Sequence, residues 1–103
     1  MSDRPCVQER HGFVIVEGDQ VVAECLVEYR PEDAQYWITR LMANDPADPQ
    51  GYRSAVLRAA MAGYSADPLW VRPDGILLAP FYLMHGFEQS ATPGVLVRPG
   101  ALA

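Results

Sequence analysis

Apolar and polar residues alternate in the first third of the chain, and apolar residues recur at three- and four-residue intervals in its middle. The sequence therefore predicts strands first and a helix later. His11 to Glu17 is a β-branched and aromatic run closed by Gly18-Asp19, and Gln20 to Tyr29 follows it, which reads as an antiparallel hairpin. In the second strand Val21, Ala23, Cys25, Val27 and Tyr29 share one face, the better core face. Val22, Glu24, Leu26 and Glu28 share the other, so Glu24 and Glu28 project together from it. After the polar turn Arg30-Pro31-Glu32-Asp33, Gln35 to Met42 is a third strand.

Asn44 to Gly51 is a loop by composition, punctuated by two prolines, a glycine and Asx residues. Tyr52 to Ala62 then reads as a helix of strong helix formers. Tyr52, Val56, Ala59, Ala60 and Gly63 lie on one side, Arg58 lies off it, and Gly63 is a C-terminal stop. Leu69 to Arg72 is a short strand. Pro73-Asp74-Gly75 either closes a hairpin onto Ile76-Leu77-Leu78 or precedes a helix through Asp74 as N-cap. Pro80 fits the first turn of a short helix running to His85 and stopped by Gly86, and Phe87 to Ser90 and Val95 to Arg98 are closing strands. The order is β-β-β-α-β-α-β-β, an α+β pattern in a single domain spanning residues 1–103.

Composition narrows the function classes. The chain has 103 residues, with 13 acids against 8 bases, and every base is an arginine. A formal charge of −5 disfavours nonspecific phosphate-backbone binding, so no nucleic-acid partner is expected. No apolar run is long enough to span a membrane, and the charged start Met-Ser-Asp-Arg-Pro-Cys lacks the apolar core of a signal peptide, so the expectation is a soluble cytoplasmic protein with no membrane partner. In that compartment Cys6 and Cys25 are expected as free thiols. His11 and His85 lie far apart and have no accompanying ligand spacing, so no metal is assigned.

The element order, together with Phe81-Tyr82-Leu83-Met84-His85-Gly86-Phe87, resembles the acyl-CoA-dependent N-acetyltransferase superfamily known as GNAT. Its members carry an aromatic-Tyr-x-x-x-Gly-Phe signature, which this segment matches at every fixed position. The resemblance covers about residues 12 to 98 and implies a mixed, strongly twisted sheet with helices packed on it. A second family motif, Gln/Arg-x-x-Gly-x-Gly/Ala, aligns with Gln50-Gly51-Tyr52-Arg53-Ser54-Ala55, and this places Arg53 where the family keeps glycine. That loop turns backbone N–H groups and a helix N-terminus toward a pyrophosphate. Arg53 either blocks the approach or, as a forked phosphate ligand, replaces part of the cradle.

By the same resemblance the cofactor is acetyl-CoA. Leu41, Met42 and Ala43 would offer backbone groups to the pantetheine arm, and Gln50, Gly51, Ser54 and Ala55 would surround the pyrophosphate. Tyr82 would be the general acid for the departing thiolate, and Glu24 or Glu28 the base for the acceptor amine. Full-sized members have a strand and two helices ahead of the hairpin that wall the acceptor side. With those helices missing, the acceptor pocket would be open to a macromolecule or completed by a second subunit in a homodimer. Two functions follow: an N-acetyltransferase acting on an exposed amine, or a catalytically silent GNAT-like module that binds or inhibits a protein partner. The second draws on the Arg53 departure and on Tyr29, Tyr36, Trp37, Tyr52 and Tyr64, residue types that favour interfaces. Without lysine, the chain itself could be acetylated only at its N-terminus.

Overall fold

The structure, a computed structural model, describes residues 10–45, 47–73 and 78–100. Cys6 and the Asp74-Gly75-Ile76-Leu77 turn or cap lie outside the described residues, as does the side chain of His11. The elements follow the predicted order: β1 (Arg10–Glu17), β2 (Gln20–Arg30), β3 (Gln35–Ala43), α1 (Tyr52–Gly63), β4 (Leu69–Val71), α2 (Leu78–Leu83), β5 (Glu88–Gln89) and β6 (Leu96–Arg98). The strands form one mixed sheet in the order β1-β2-β3-β4-β6-β5. Its one parallel pair, β3 with β4, is joined through α1, because parallel neighbours need a long crossover.

The core lies on one face of this sheet. Ala23, Cys25 and Val27 of β2, Ile38 of β3 and Leu69 and Val71 of β4 meet Val56, Leu57 and Ala60 of α1 and Tyr82 of α2. Tyr64, just past α1, extends this core as an aromatic row, with ring centroids 4.7 Å from Tyr36 and 6.2 Å from Phe13. Tyr36 in turn lies 5.0 Å from Tyr29. Arg98 fastens the end of β6 to the end of α1. Its guanidinium donates to the carbonyls of Met61 at 3.1 Å and of Tyr64 and Asp67, both at 2.7 Å. A cation is favoured at a helix C-terminus, where carbonyls lack partners.

Three local expectations are corrected. The hairpin register slips between Ile15 and Val16, leaving Val22 as the extra residue of a bulge in β2. Val22 is therefore buried and Val21 exposed, the reverse of strict alternation, because one inserted residue flips every position beyond it. On α1 the buried stripe is Val56, Leu57 and Ala60, while Ala59 and Gly63 are exposed. Burying the large Leu57 removes more apolar area from water than burying Ala59 would. Finally, α2 starts at Leu78 and ends at Leu83 rather than running from Pro80 to His85. Pro80 is still in the first turn, where its missing N–H leaves no bond unmade.

Candidate functional site

The third strand carries a second bulge, and this one makes a cavity. Leu26 pairs with Arg40 and Val27 with Ile38, so Thr39 is the extra residue. Before it Tyr36 and Ile38 face the core, and after it Leu41 and Ala43 do. A bulge bends its strand and increases the local twist. The parallel ladder to β4 ends at the same level, with Ile38 opposite Val71, and the chain then continues to Arg72 and to Pro73, which has no N–H to extend a ladder. From Thr39 to Ala43 the β4-facing edge of β3 has no ladder partner among the described residues. Between the parted strands lies a slot of about 630 Å³, walled by Ile38, Thr39, Leu41, Met42 and Val71, with Tyr82 from α2 and with Arg30, Trp37, Arg40 and Arg72 also lining it.

Tyr82 is held there by the aromatic-Tyr-x-x-x-Gly-Phe segment acting as a helix stop. The N–H of Phe87 donates to the carbonyl of Tyr82 at 3.2 Å and that of Gly86 to Leu83 at 3.3 Å. Gly86 has φ 92°, a conformation that suits a residue without Cβ. This is a Schellman cap, and its usual hydrophobic contact is present as the Tyr82 and Phe87 rings, 5.2 Å apart and edge to face. Phe81 also packs edge to face with Tyr82, at 5.6 Å, and the Nδ1 of His85 lies 2.8 Å from the Phe81 carbonyl oxygen. The signature thus has a mechanical meaning: its glycine turns the chain, and its last aromatic clamps the tyrosine.

Tyr82 is 2% exposed. Burial pushes its phenol above the ordinary value, the nearby Cys25 thiol adds to the rise, and the positive charge of Arg53 opposes it. Cys25, fully buried in the same cluster, is pushed up to about 12 by burial and by Glu24. Both groups are therefore neutral at physiological pH, and of the two only Tyr82 lines the slot. Glu24 and Glu28 lie on the opposite face of β2 from Cys25, toward Trp37 and Met42 of β3. Glu24 is paired with Arg40 at 3.0 Å, and neither glutamate lines the slot.

The loop ahead of α1 holds a residue that the sequence reading missed. Asp48, at φ 48°, accepts the backbone N–H of Tyr52 at 2.8 Å on one carboxylate oxygen and that of Arg53 at 2.9 Å on the other. The Arg53 guanidinium approaches the second oxygen to 3.9 Å. Gly51, at φ 72°, supplies the left-handed turn into the helix, and a Cβ there would touch nothing. The first N–H groups of α1, the anion site of the expected cradle, are thus filled by the chain's own carboxylate. A capping residue is normally sought immediately before the helix, which is Gly51; Asp48 is four positions ahead of Tyr52 and reaches it only because of the Asp48-Pro49-Gln50-Gly51 turn. Gln50 and Asp48 also line a second cavity of about 280 Å³ with Glu17 and Asp45, an acidic setting, and the Tyr52 hydroxyl donates to Glu17 across it. Ser54 and Ala55 are half-buried in the first turn of α1.

The structure therefore brings together Tyr82, Leu41 and Met42 at the slot, with Arg53 near enough to Tyr82 to act on its charge. It places Gln50, Gly51, Ser54 and Ala55 at the helix entrance and leaves Glu24 and Glu28 outside the slot wall. Among the described residues no group of three His, Cys, Asp or Glu could hold a metal ion, and no helix is long and apolar enough to cross a membrane.

By sequence, the chain matches no protein-family model and no curated protein. By structure it is similar to the Bacillus subtilis N-acetyltransferase YlbP, solved in complex with coenzyme A, with a TM-score of 0.65 and 17% identity over 84% of this chain. It is also similar to a protein assigned to the GNAT family of acetyltransferases from Bacteroides thetaiotaomicron, with a TM-score of 0.61 and 18% identity over 95% of this chain. The chain spans 65% of the length of each. The parted parallel strands, the capped tyrosine and these two likenesses together establish that the chain has the GNAT fold.

Proposed function

We propose that the protein is a small acetyl-CoA-dependent N-acetyltransferase acting on an exposed amine. The observation that carries this reading is the slot opened between β3 and β4 at the Thr39 bulge, with the Tyr82 phenol on its wall. The edge of β3 from Thr39 to Ala43, which has no ladder partner among the described residues, would hold a pantetheine arm by its amides as an added strand would be held. The amine nitrogen forms a C–N bond to the thioester carbonyl carbon as the C–S bond breaks. The amine proton goes to Glu24 or Glu28, directly or through water, and the sulfur receives its proton from Tyr82. Since the raised phenol is a weaker acid than a thiol, whose ordinary pKa is about 8.5, Tyr82 first donates a hydrogen bond to the growing thiolate and releases the proton late. The acidic loop at Asp48 fits a pyrophosphate poorly, so most of the grip on acetyl-CoA falls to the slot. Calorimetry with acetyl-CoA tests the reading, and no heat at millimolar ligand sinks it.

A second reading has its own observation. With Asp48 filling the helix N-terminus and Arg53 where the family keeps glycine, the scaffold also suits a catalytically silent module that binds a protein partner. Acetyl transfer to any amine would exclude that reading, and a stable partner recovered with a protein inert toward acetyl-CoA would establish it.

A further inference from the structure

The outer mouth of the slot concentrates positive charge in a chain whose net charge is −5. Three of the eight basic residues, Arg30, Arg40 and Arg72, line this one cavity. Arg40 is offset by its ion pair with Glu24. Arg30 and Arg72 have no carboxylate partner among the described residues, although acids outnumber bases in the sequence. Arg30 sits 4.2 Å above the ring of Trp37, a cation–π contact that steadies the guanidinium and leaves its N–H donors unengaged by the ring face. Trp37 is backed by Trp70, with centroids 6.0 Å apart and planes at 27°. Glu28 stands opposite Trp37 in the ladder, on the same face. The mouth is thus a stiff aromatic wall rimmed by two arginines whose forks match the oxygen pairs of a carboxylate or phosphate.

The geometry points to an acceptor amine that itself carries an anionic group, a carboxylate or a phosphate, taken up by Arg30 and Arg72 at the mouth of the slot. Calling the ligand an acceptor rests on the acyl-transfer reading; the anion grip does not. The arrangement also serves the chemistry. Nearby positive charge disfavours an ammonium and favours the free amine, which alone is nucleophilic, and the ligand's own anion offsets the repulsion that the arginines would otherwise exert.

The two tryptophans of the stack are the only two in the chain, so intrinsic fluorescence reports on this mouth without any need for turnover. The intact protein is titrated with β-alanine, with phosphoethanolamine and with uncharged ethanolamine. A saturable change with β-alanine or phosphoethanolamine, and binding of ethanolamine at least about tenfold weaker, is the expected result; whichever anion saturates at lower concentration identifies carboxylate or phosphate. Arg72→Gln, an exposed position, and Arg30→Gln should each weaken the anionic amine about tenfold and leave ethanolamine unchanged. Equal response to ethanolamine, no response to either anion, or unaltered binding in both variants overturns the inference. Acetyl-CoA assays with the same amines separate the two readings. An anionic amine that binds without being acetylated removes the acyl-transfer reading and keeps the anion site, whereas acetylation indifferent to the anionic group does the opposite.

Discussion

Asp48 and a bound pyrophosphate would compete for the same two backbone N–H groups, so changing Asp48 should move stability and coenzyme affinity in opposite directions. The carboxylate makes two charge-assisted bonds at 2.8 and 2.9 Å, and its side chain is 10% exposed. Loss of a helix-capping side chain costs about 0.5–2 kcal/mol, and a negative charge at a helix N-terminus adds roughly 0.3–1 kcal/mol. Asp48→Asn keeps a capping acceptor and tolerates the positive φ, so it should cost about 1 kcal/mol; Asp48→Ala loses both bonds and should cost about 2 kcal/mol. For a chain of this size about 1 kcal/mol shifts Tm by roughly 4–8 °C, which thermal denaturation resolves. Freed of the carboxylate charge, the cradle in either variant should bind coenzyme A about tenfold more tightly by calorimetry, a gain of about 1.4 kcal/mol. Pantetheine, which lacks the pyrophosphate, should bind wild type and variants alike. If coenzyme A binds Asp48→Asn no better than wild type while stability falls as expected, the cradle is not where a pyrophosphate sits and the competition argument fails.

Tyr82→Phe should lower the acetyl-transfer rate by about 10²-fold or more and leave coenzyme A affinity within about twofold; an unchanged rate removes Tyr82 as the acid. Gly86→Ala meets no atom but must adopt φ 92°, so chemical denaturation should show a loss of about 1–2 kcal/mol from backbone strain alone. Arg98→Met removes three bonds to carbonyls at the end of α1 and should cost about 3 kcal/mol, a loss that salt does not reproduce. The fold should also weaken in base. Cys25 rises from an ordinary 9.0 to about 12 and Tyr64 from 10.0 to about 12, both chiefly through burial. The folded state therefore holds protons that the unfolded chain releases, so the stabilisation is complete below about pH 9 and is lost as pH climbs toward 12. Urea midpoints that stay flat across that range would contradict the assignment.

The element order could be read from the chain because the signals are local: alternation in β1 to β3, helix formers from Tyr52 onward, and the glycine stop at Gly86, whereas Gly63 is the last residue of α1 and Tyr64 its cap. The Tyr82 segment was legible for the same reason, since a Schellman cap is written in consecutive residues. The two bulges were not. Val22 and Thr39 are ordinary strand residues, and a bulge is decided by which partner strand they meet, so Val21 and Val22 exchanged faces against the pattern. Asp48 escaped because its cap acts across a turn rather than from the adjoining position. Glu24 was legible as a projecting acid, but its Arg40 partner comes from another strand, and neither alternation nor composition reports that pairing.

The extra residue at Thr39 acts as a phase slip along β3. No exchange of one amino acid for another could restore the interrupted rhythm; only deleting Thr39 would, and Arg40 and Met42 would then keep the outer face and Leu41 the core, in unbroken alternation with Ile38. The two halves of the strand consequently answer to separate demands. Substitutions at Tyr36 are paid for in stability and those at Ile38 in both stability and slot shape, whereas those at Arg40 and Met42 can retune what the slot accepts and leave the scaffold standing, so selectivity in this protein can drift without the fold having to follow.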